Sequence, residues 1–238
     1  MNTLAASFSA VRKRMDEAAI RANRDPEKVR LVAVSKSVDV DMVLRAQAEC
    51  DQRLFGENRA DELLRKADAC AHLGSDIDFH FIGPLQTNKA RKVVGCASLI
   101  HSVDSERLLR AIDARAKLLN ENCEAGKGCF KQSVLIQVSI SGEEAKQGVE
   151  PEQLDGLLHL ANTELSHVQI NGLMTMAPFA PAEDVRWIFE DLRELCNRSD
   201  RNGPSVALTE LSMGMTGDFE AAIEEGATLV RVGTALFA

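Results

Sequence analysis

Short apolar runs of strand length alternate with helix-patterned stretches along nearly the whole chain. Residues 29–36, VRLVAVSK, carry Leu31, Val32, Ala33 and Val34 in unbroken order, the pattern of a strand buried on both faces rather than on one. Runs of the same kind recur at RLFGE (53–57), DFHFIG (78–83), SLIHSVD (98–104), SVLIQVSI (133–140), VQINGLMTM (168–176), ALTELSMG (207–214) and TLVRVGTALF (228–237), which predicts eight strands. Helix patterns fill the spaces between them. Asp39 stands before VDMVLRAQAEC, Ser105 before ERLLRAIDARAKLLN, and Pro151 opens PEQLDGLLHLANTEL, all residue types that start helices. In APAEDVRWIFEDLRELCNRSD the positions Val185, Ile188, Phe189, Leu192 and Leu195 keep helical spacing, with a proline and acidic residues in the first turn. The first 25 residues read as one more amphipathic helix, ahead of the first strand.

Strand followed by helix, repeated, requires parallel pairing, because each helix supplies the long crossover that parallel neighbours need. Eight such units in 238 residues, slightly under the ~250 typical of the closed form, favour a (β/α)8 barrel over an open sheet. The expected architecture is α/β: a single (β/α)8 TIM-type barrel with an additional N-terminal helix, one domain over residues 1–238. Neither ENCEAGKGCFKQ (121–132) nor APFAPAED (177–184) is long enough to serve as a linker, and both read as surface loops.

Composition narrows the function classes. The chain is 45% hydrophobic and 27% charged, the balance of a globular protein with a sizeable core. Its 28 Lys and Arg against 36 Asp and Glu leave a net charge of -8, and no basic run suggests a nucleic-acid or anionic-membrane footprint. Six cysteines are scattered without a CxxC pair, so a reducing, cytoplasmic environment is expected. The N-terminus carries its basic residues after the apolar ones and lacks the order of a signal peptide, and no apolar segment approaches the ~20 residues that span a bilayer. The five histidines, His72, His80, His101, His159 and His167, fall on different elements without ligand spacing, so no metal site is expected.

In a barrel of this kind the binding face is built from loops after the strands' C-terminal ends. Lys36 lies there. Its plain reading is a stem packed on apolar surface with the ammonium reaching water; partial desolvation at such a place lowers an ammonium's pKa and makes a lysine competent to condense with an aldehyde. Near the other end, Ser212, Gly214, Thr216 and Gly217 precede the helix pattern DFEAAIEEGA, and Gly233 and Thr234 follow in the last strand. Glycines admit an anion to the backbone, hydroxyls donate to it, and phosphate sites in these barrels lie by the loops after strands seven and eight. Ordinary capping by Thr216 or Gly217 explains the same residues. A lysine on the first strand and a phosphate cradle across the mouth together suit a ligand with both an aldehyde and a phosphate, which fits pyridoxal phosphate or a sugar phosphate handled by a Schiff-base aldolase.

The motifs LVAVSK, FGENR, HFIGPLQTNK, IHSVDS, GLMTMAP and LSMGMTGDFEAAIEEGATLVRVGTALF, in this order, resemble the pyridoxal phosphate homeostasis proteins, relatives of the alanine racemase barrel. That resemblance implies the type III fold of pyridoxal-phosphate proteins without the second β-domain of the racemases. It implies pyridoxal 5'-phosphate as cofactor, held as a Schiff base on Lys36, with Ser212, Gly233 and Thr234 at the phosphate. Arg231 then stands beside the pyridine nitrogen, where a cation keeps the ring a weak electron sink. Asn58, Met174 and Gly214 fall in matching motifs and are expected to line the pocket. Lys89 belongs to a loop that in the family lies near the mouth, and Lys146 matches a family lysine on a loop near the pocket, while His80, a lone histidine between phenylalanines, is expected to be a hydrogen-bonded core residue.

A racemase needs acid/base groups on both faces of the bound amino acid, commonly a lysine and a tyrosine. The sequence has no tyrosine, and only Lys36 is evident. The expectation is therefore a monomeric carrier with no catalytic residue, which keeps the reactive aldehyde from stray amines and passes it to pyridoxal-phosphate-dependent apoenzymes. A weak amino-acid racemase is the alternative.

Overall fold

The computed structural model describes residues 3–121, 130–142, 148–202 (side chains to 199) and 208–238. Helix α1 (Leu4–Arg21) precedes β1 (Arg30–Val34), and the alternation then runs through α2 (Val40–Cys50), β2 (Leu54–Glu57), α3 (Ala60–His72), β3 (Asp78–Phe81) and α4 (Ala90–Val93). The second half continues with β4 (Leu99–Val103), α5 (Glu106–Glu121), β5 (Gln132–Gln137), α6 (Leu154–Glu164), β6 (Val168–Met174) and α7 (Ala182–Asn202). It ends with β7 (Glu210–Ser212), α8 (Phe219–Glu224), β8 (Leu229–Val232) and α9 (Thr234–Phe237). All eight strands are parallel and close into one barrel in sequence order.

Closure is made by β1 against β8, with Arg30 opposite Leu229, Val32 opposite Arg231 and Ala33 opposite Val232. Strand residues alternate between two apolar layers. Val32, Leu99, Leu135, Met174 and Leu229 form a cluster of their own inside the barrel. Their neighbours Leu31, Ala33, Phe55, Phe79, Phe81, Ile100, Val134 and Ile136 belong to the larger cluster shared with the helices. This division is why the strands read as continuous apolar runs.

Helix α1 buries Phe8, Val11, Met15, Ala18 and Ala19, one stripe at helical spacing. It lies against α8 and α9. Arg14 and Arg21 pair with Glu220 and Glu224, and Phe8 meets Phe237 edge to face at 5.6 Å.

The predicted starts at Asp39 and Ser105 are where chain and side chain agree. Asp39 accepts from the Met42 amide at 2.9 Å, and Ser105 accepts from the Leu108 amide at 3.3 Å. Pro151 opens a single 3-10 turn that leads into α6. Two boundaries differ from expectation. The last strand stops at Val232 and residues Thr234–Phe237 turn helical, because this segment leaves the sheet and packs on α1, where apolar pattern alone cannot separate strand from buried helix. The helix after β7 starts at Phe219 with Asp218, rather than Thr216 or Gly217, at the cap position; the Asp218 carboxylate turns back to accept from the Met215 amide at 2.5 Å.

Among the described residues no helix is long and apolar enough to cross a membrane, and no group of three His, Cys, Asp or Glu side chains could hold a metal ion.

Candidate ligand site at the barrel mouth

The C-terminal ends of the strands gather most of the expected site residues around one opening. Lys36 lies two residues past β1, in a four-residue turn closed by the Val38 amide donating to the Ser35 carbonyl at 3.1 Å. It is exposed, whereas partial desolvation was expected. The reason is local: Ser35 takes the buried position at the strand end, and the turn carries the next residue outward. Asn58, half-buried, follows the last residue of β2, and Met174, buried, ends β6 as part of the interior layer.

Gly233 and Thr234 follow β8 directly, so they sit on the strand hydrogen-bonded to β1. A Cβ on Gly233 would lie 3.2 Å from Val34 Cβ. The lysine and this part of the expected phosphate cradle are therefore neighbours rather than across the mouth from each other, because closing the barrel makes its first and last strands adjacent. Gly214 has φ of +89° and no room for a side chain, since a Cβ would come within 2.6 Å of Ala222 Cβ and 2.9 Å of Phe219 Cα. Only glycine meets both conditions. Gly217, by contrast, faces open space, beside the half-buried Thr216. Lys89 closes a 3-10 turn after β3, and Lys146 lies outside the described residues.

Below the mouth the barrel interior is polar on one side. Arg231 is buried; it donates to Ser212 Oγ at 2.5 Å and to the Thr175 carbonyl at 2.9 Å. His101 Nδ1 lies 2.8 Å from the same hydroxyl, and its Nε2 lies 2.8 Å from His80 Nδ1. Arg231 donates to Ser212, and the imidazole contacts allow two orders of protons: Ser212 to His101 Nδ1 with His101 Nε2–H to His80 Nδ1, or His80 Nδ1–H to His101 Nε2 with His101 Nδ1–H to Ser212, which leaves the serine proton for a ligand. Ser212, expected at the phosphate, also accepts from Arg231 and lies beside His101, so it braces the guanidinium from the strand end where the phosphate was expected. His80 is the hydrogen-bonded core residue its surroundings suggested.

Burial dominates the electrostatics here. It lowers the Arg231 guanidinium to about 10, against a small opposing pull from Asp218, so the cation persists at neutral pH. Burial raises the Asp218 carboxyl, which the Met215 amide and Arg231 partly counter. Burial, with minor help from Arg30, takes His80 down to about 3; Asp78, 3.9 Å from its Nε2 but half exposed, does not offset this. Burial also holds His101 well below the usual imidazole range, with His80 and Arg231 adding to the effect. Both imidazoles are therefore neutral at physiological pH.

His101 and Thr175 were not singled out from sequence. The signal for His101 was present: it shares the inward face of β4 with Leu99, and Leu99 pairs with His80 on β3. Strand register was needed to read it.

The donor set fits a ligand with an aldehyde, a ring acceptor and an anionic group. There is an accessible amine, a buried guanidinium, and small residues with uncommitted hydroxyls at Thr216 and Thr234. Comparison with known proteins agrees with that chemistry. Residues 7–238 match the family described as alanine racemase, N-terminal domain. The pyridoxal phosphate homeostasis protein of Aquifex aeolicus is 44% identical over 231 residues, covering 97% of this chain and 95% of that one. PipY of Synechococcus elongatus, solved with PLP bound, superposes with a TM-score of 0.79 at 36% identity, covering 96% of this chain and all of PipY. An alanine racemase from Clostridium difficile shares the fold with a TM-score of 0.70 at 14% identity, and the chain spans 56% of it. The chain thus belongs to the family of pyridoxal phosphate homeostasis proteins, built on the alanine racemase N-terminal barrel.

Proposed function

We propose that this chain binds pyridoxal 5'-phosphate at the barrel mouth, holds it covalently through Lys36, and supplies it to apoenzymes in the cytoplasm, acting as a monomer of one domain without robust catalysis of its own. The observation that carries this reading is the placement of an exposed lysine on the strand end next to Gly233 and Thr234, above a buried arginine.

Pyridoxal phosphate supplies an aldehyde, a pyridine nitrogen and a phosphate. Lys36 would hold it by condensation of its amine with the aldehyde, the carbonyl oxygen leaving as water. Arg231, fixed by Ser212 and the Thr175 carbonyl, would meet the ring nitrogen with donors only and has no proton to give it at neutral pH. Gly214, Gly233 and the hydroxyls of Ser212, Thr216 and Thr234 suit the phosphate; Asn58 and Met174 suit the walls and floor. No second acid/base residue stands beside Lys36 among these groups, which favours storage over racemisation.

Purified protein loaded with pyridoxal phosphate is expected to show a visible C=N absorbance band that Lys36→Ala abolishes, with borohydride fixing the label on the Lys36 peptide. A band that persists in Lys36→Ala would overturn the attachment. Incubation with single amino-acid enantiomers in deuterated water is expected to leave the α-hydrogen in place; steady exchange at enzymic rates would turn the reading into a racemase. Restoration of activity to an added apoenzyme, faster than from free ligand trapped by a scavenging amine, tests the supply step.

A further inference from the structure

The turn that carries Lys36 stands on a buried ion pair with no part in the ligand chemistry above. Glu57, the last residue of β2, and Lys66, from α3, are both fully buried, with Nζ 2.5 Å from Oε1. They converge on Ser35. Lys66 donates to its carbonyl at 2.6 Å, its hydroxyl donates to Glu57 Oε1 at 2.7 Å, and its amide donates to the Gly56 carbonyl at 3.0 Å. Every polar group of the residue before Lys36 is taken. The carbonyl held by Lys66 is the same one that closes the turn with the Val38 amide. Glu57 also immediately precedes Asn58, so the pair grips the root of both strand-end segments.

Stability is a poor explanation for such a pair. Taking two charges out of water is repaid by their attraction only when the geometry is excellent, and apolar side chains of similar volume serve the fold equally well or better. Glu57 Oε2 is moreover buried with no hydrogen-bond partner, a further cost. What an ion pair does that leucine or methionine cannot is direct hydrogen bonds at one peptide carbonyl and one hydroxyl. Lys66 itself, closed to solvent, is out of reach of any aldehyde at the mouth.

We propose that Lys66 and Glu57 form a positioning unit that holds the Ser35–Val38 turn so that the Lys36 amine meets the aldehyde. The inference rests on Lys36 being the attachment residue. Lys66 and Glu57 are closed to solvent, and their side chains reach the Lys36 turn through Ser35.

The test uses Lys66→Met/Glu57→Leu, which removes both charges together and leaves no stranded ion, and Ser35→Ala, which removes only the hydroxyl contact. Folding is followed by urea denaturation, covalent capture by the growth of the C=N band after adding pyridoxal phosphate to the apoprotein, and non-covalent binding by dialysis with pyridoxine 5'-phosphate, which has no aldehyde. Covalent capture is expected to slow at least about tenfold in the double variant and about threefold in Ser35→Ala, in line with the sensitivity of condensation to a small misplacement of the reacting atom. Affinity for pyridoxine 5'-phosphate is expected to stay within about twofold, a split that general loosening of the fold does not produce. A folded double variant that captures at the wild-type rate overturns the proposal, and so does wild-type capture in Ser35→Ala should the double variant not fold. Borohydride label on wild-type protein that maps away from Lys36 is a different failure: it removes the attachment reading on which the proposal stands.

Discussion

Acidification is expected to weaken this protein through two neutral histidines. Burial takes His80 from 6.5 to about 3 and holds His101 well below 6.5. In both, the folded pKa lies below the unfolded one, so below pH 6.5 the unfolded chain binds protons that the native state refuses. Stability is intact above the unfolded value and falls as pH drops from 6.5 towards about 3. Within that window each group contributes a slope of about 1.4 kcal/mol per pH unit. Between about pH 7.5 and about pH 5 the loss comes to roughly 2 kcal/mol for His80, and His101 adds to it in the same direction, a sizeable part of an ordinary folding free energy.

The assay is urea denaturation at a series of pH values for wild type and His80→Asn, whose amide keeps a polar atom near Nδ1. The variant is expected to be less stable throughout, but the informative quantity is the slope. Between about pH 6 and about pH 5 it should be shallower than wild type by close to one proton, about 1.4 kcal/mol per unit. The other titrating groups are common to both proteins, and His101, which His80 helps to hold low, stays depressed chiefly by its own burial, so its contribution largely cancels. Parallel curves would mean that His80 titrates alike in both states, and the argument that burial keeps the histidine pair neutral would fail.

Two further substitutions probe the supports of the mouth. Gly214→Ala forces a Cβ into Ala222 and Phe219 at a φ of +89°, and is expected to cost at least about 2–3 kcal/mol and lower Tm by roughly 5–10 °C, seen by calorimetry. Asp39→Ala removes the acceptor for the Met42 amide and is expected to cost about 1 kcal/mol, or about 2–4 °C in Tm; no change in Tm would show that the cap adds nothing to α2.

The alternation of strands and helices, the number of strands and the starts of α2 and α5 were all readable from the chain, because periodicity, capping and turn chemistry act over a few residues. The lysine of LVAVSK and the glycines near the C-terminus were readable as chemistry for the same reason, since their meaning lies in residue type and place on a strand end. What tertiary structure alone decided was adjacency. Closing the barrel put Lys36 beside Gly233 rather than across from it. It brought His101 to Ser212, 111 residues later, and so tied an expected phosphate residue to the buried Arg231. Lys66 looked like any polar helix position, and only the packing of α3 on the ends of β1 and β2 buried it against Glu57 and Ser35. Sequence pattern records which face of an element seeks the core; which distant face it meets there is settled by register and closure, and the polar contacts of the site follow from those.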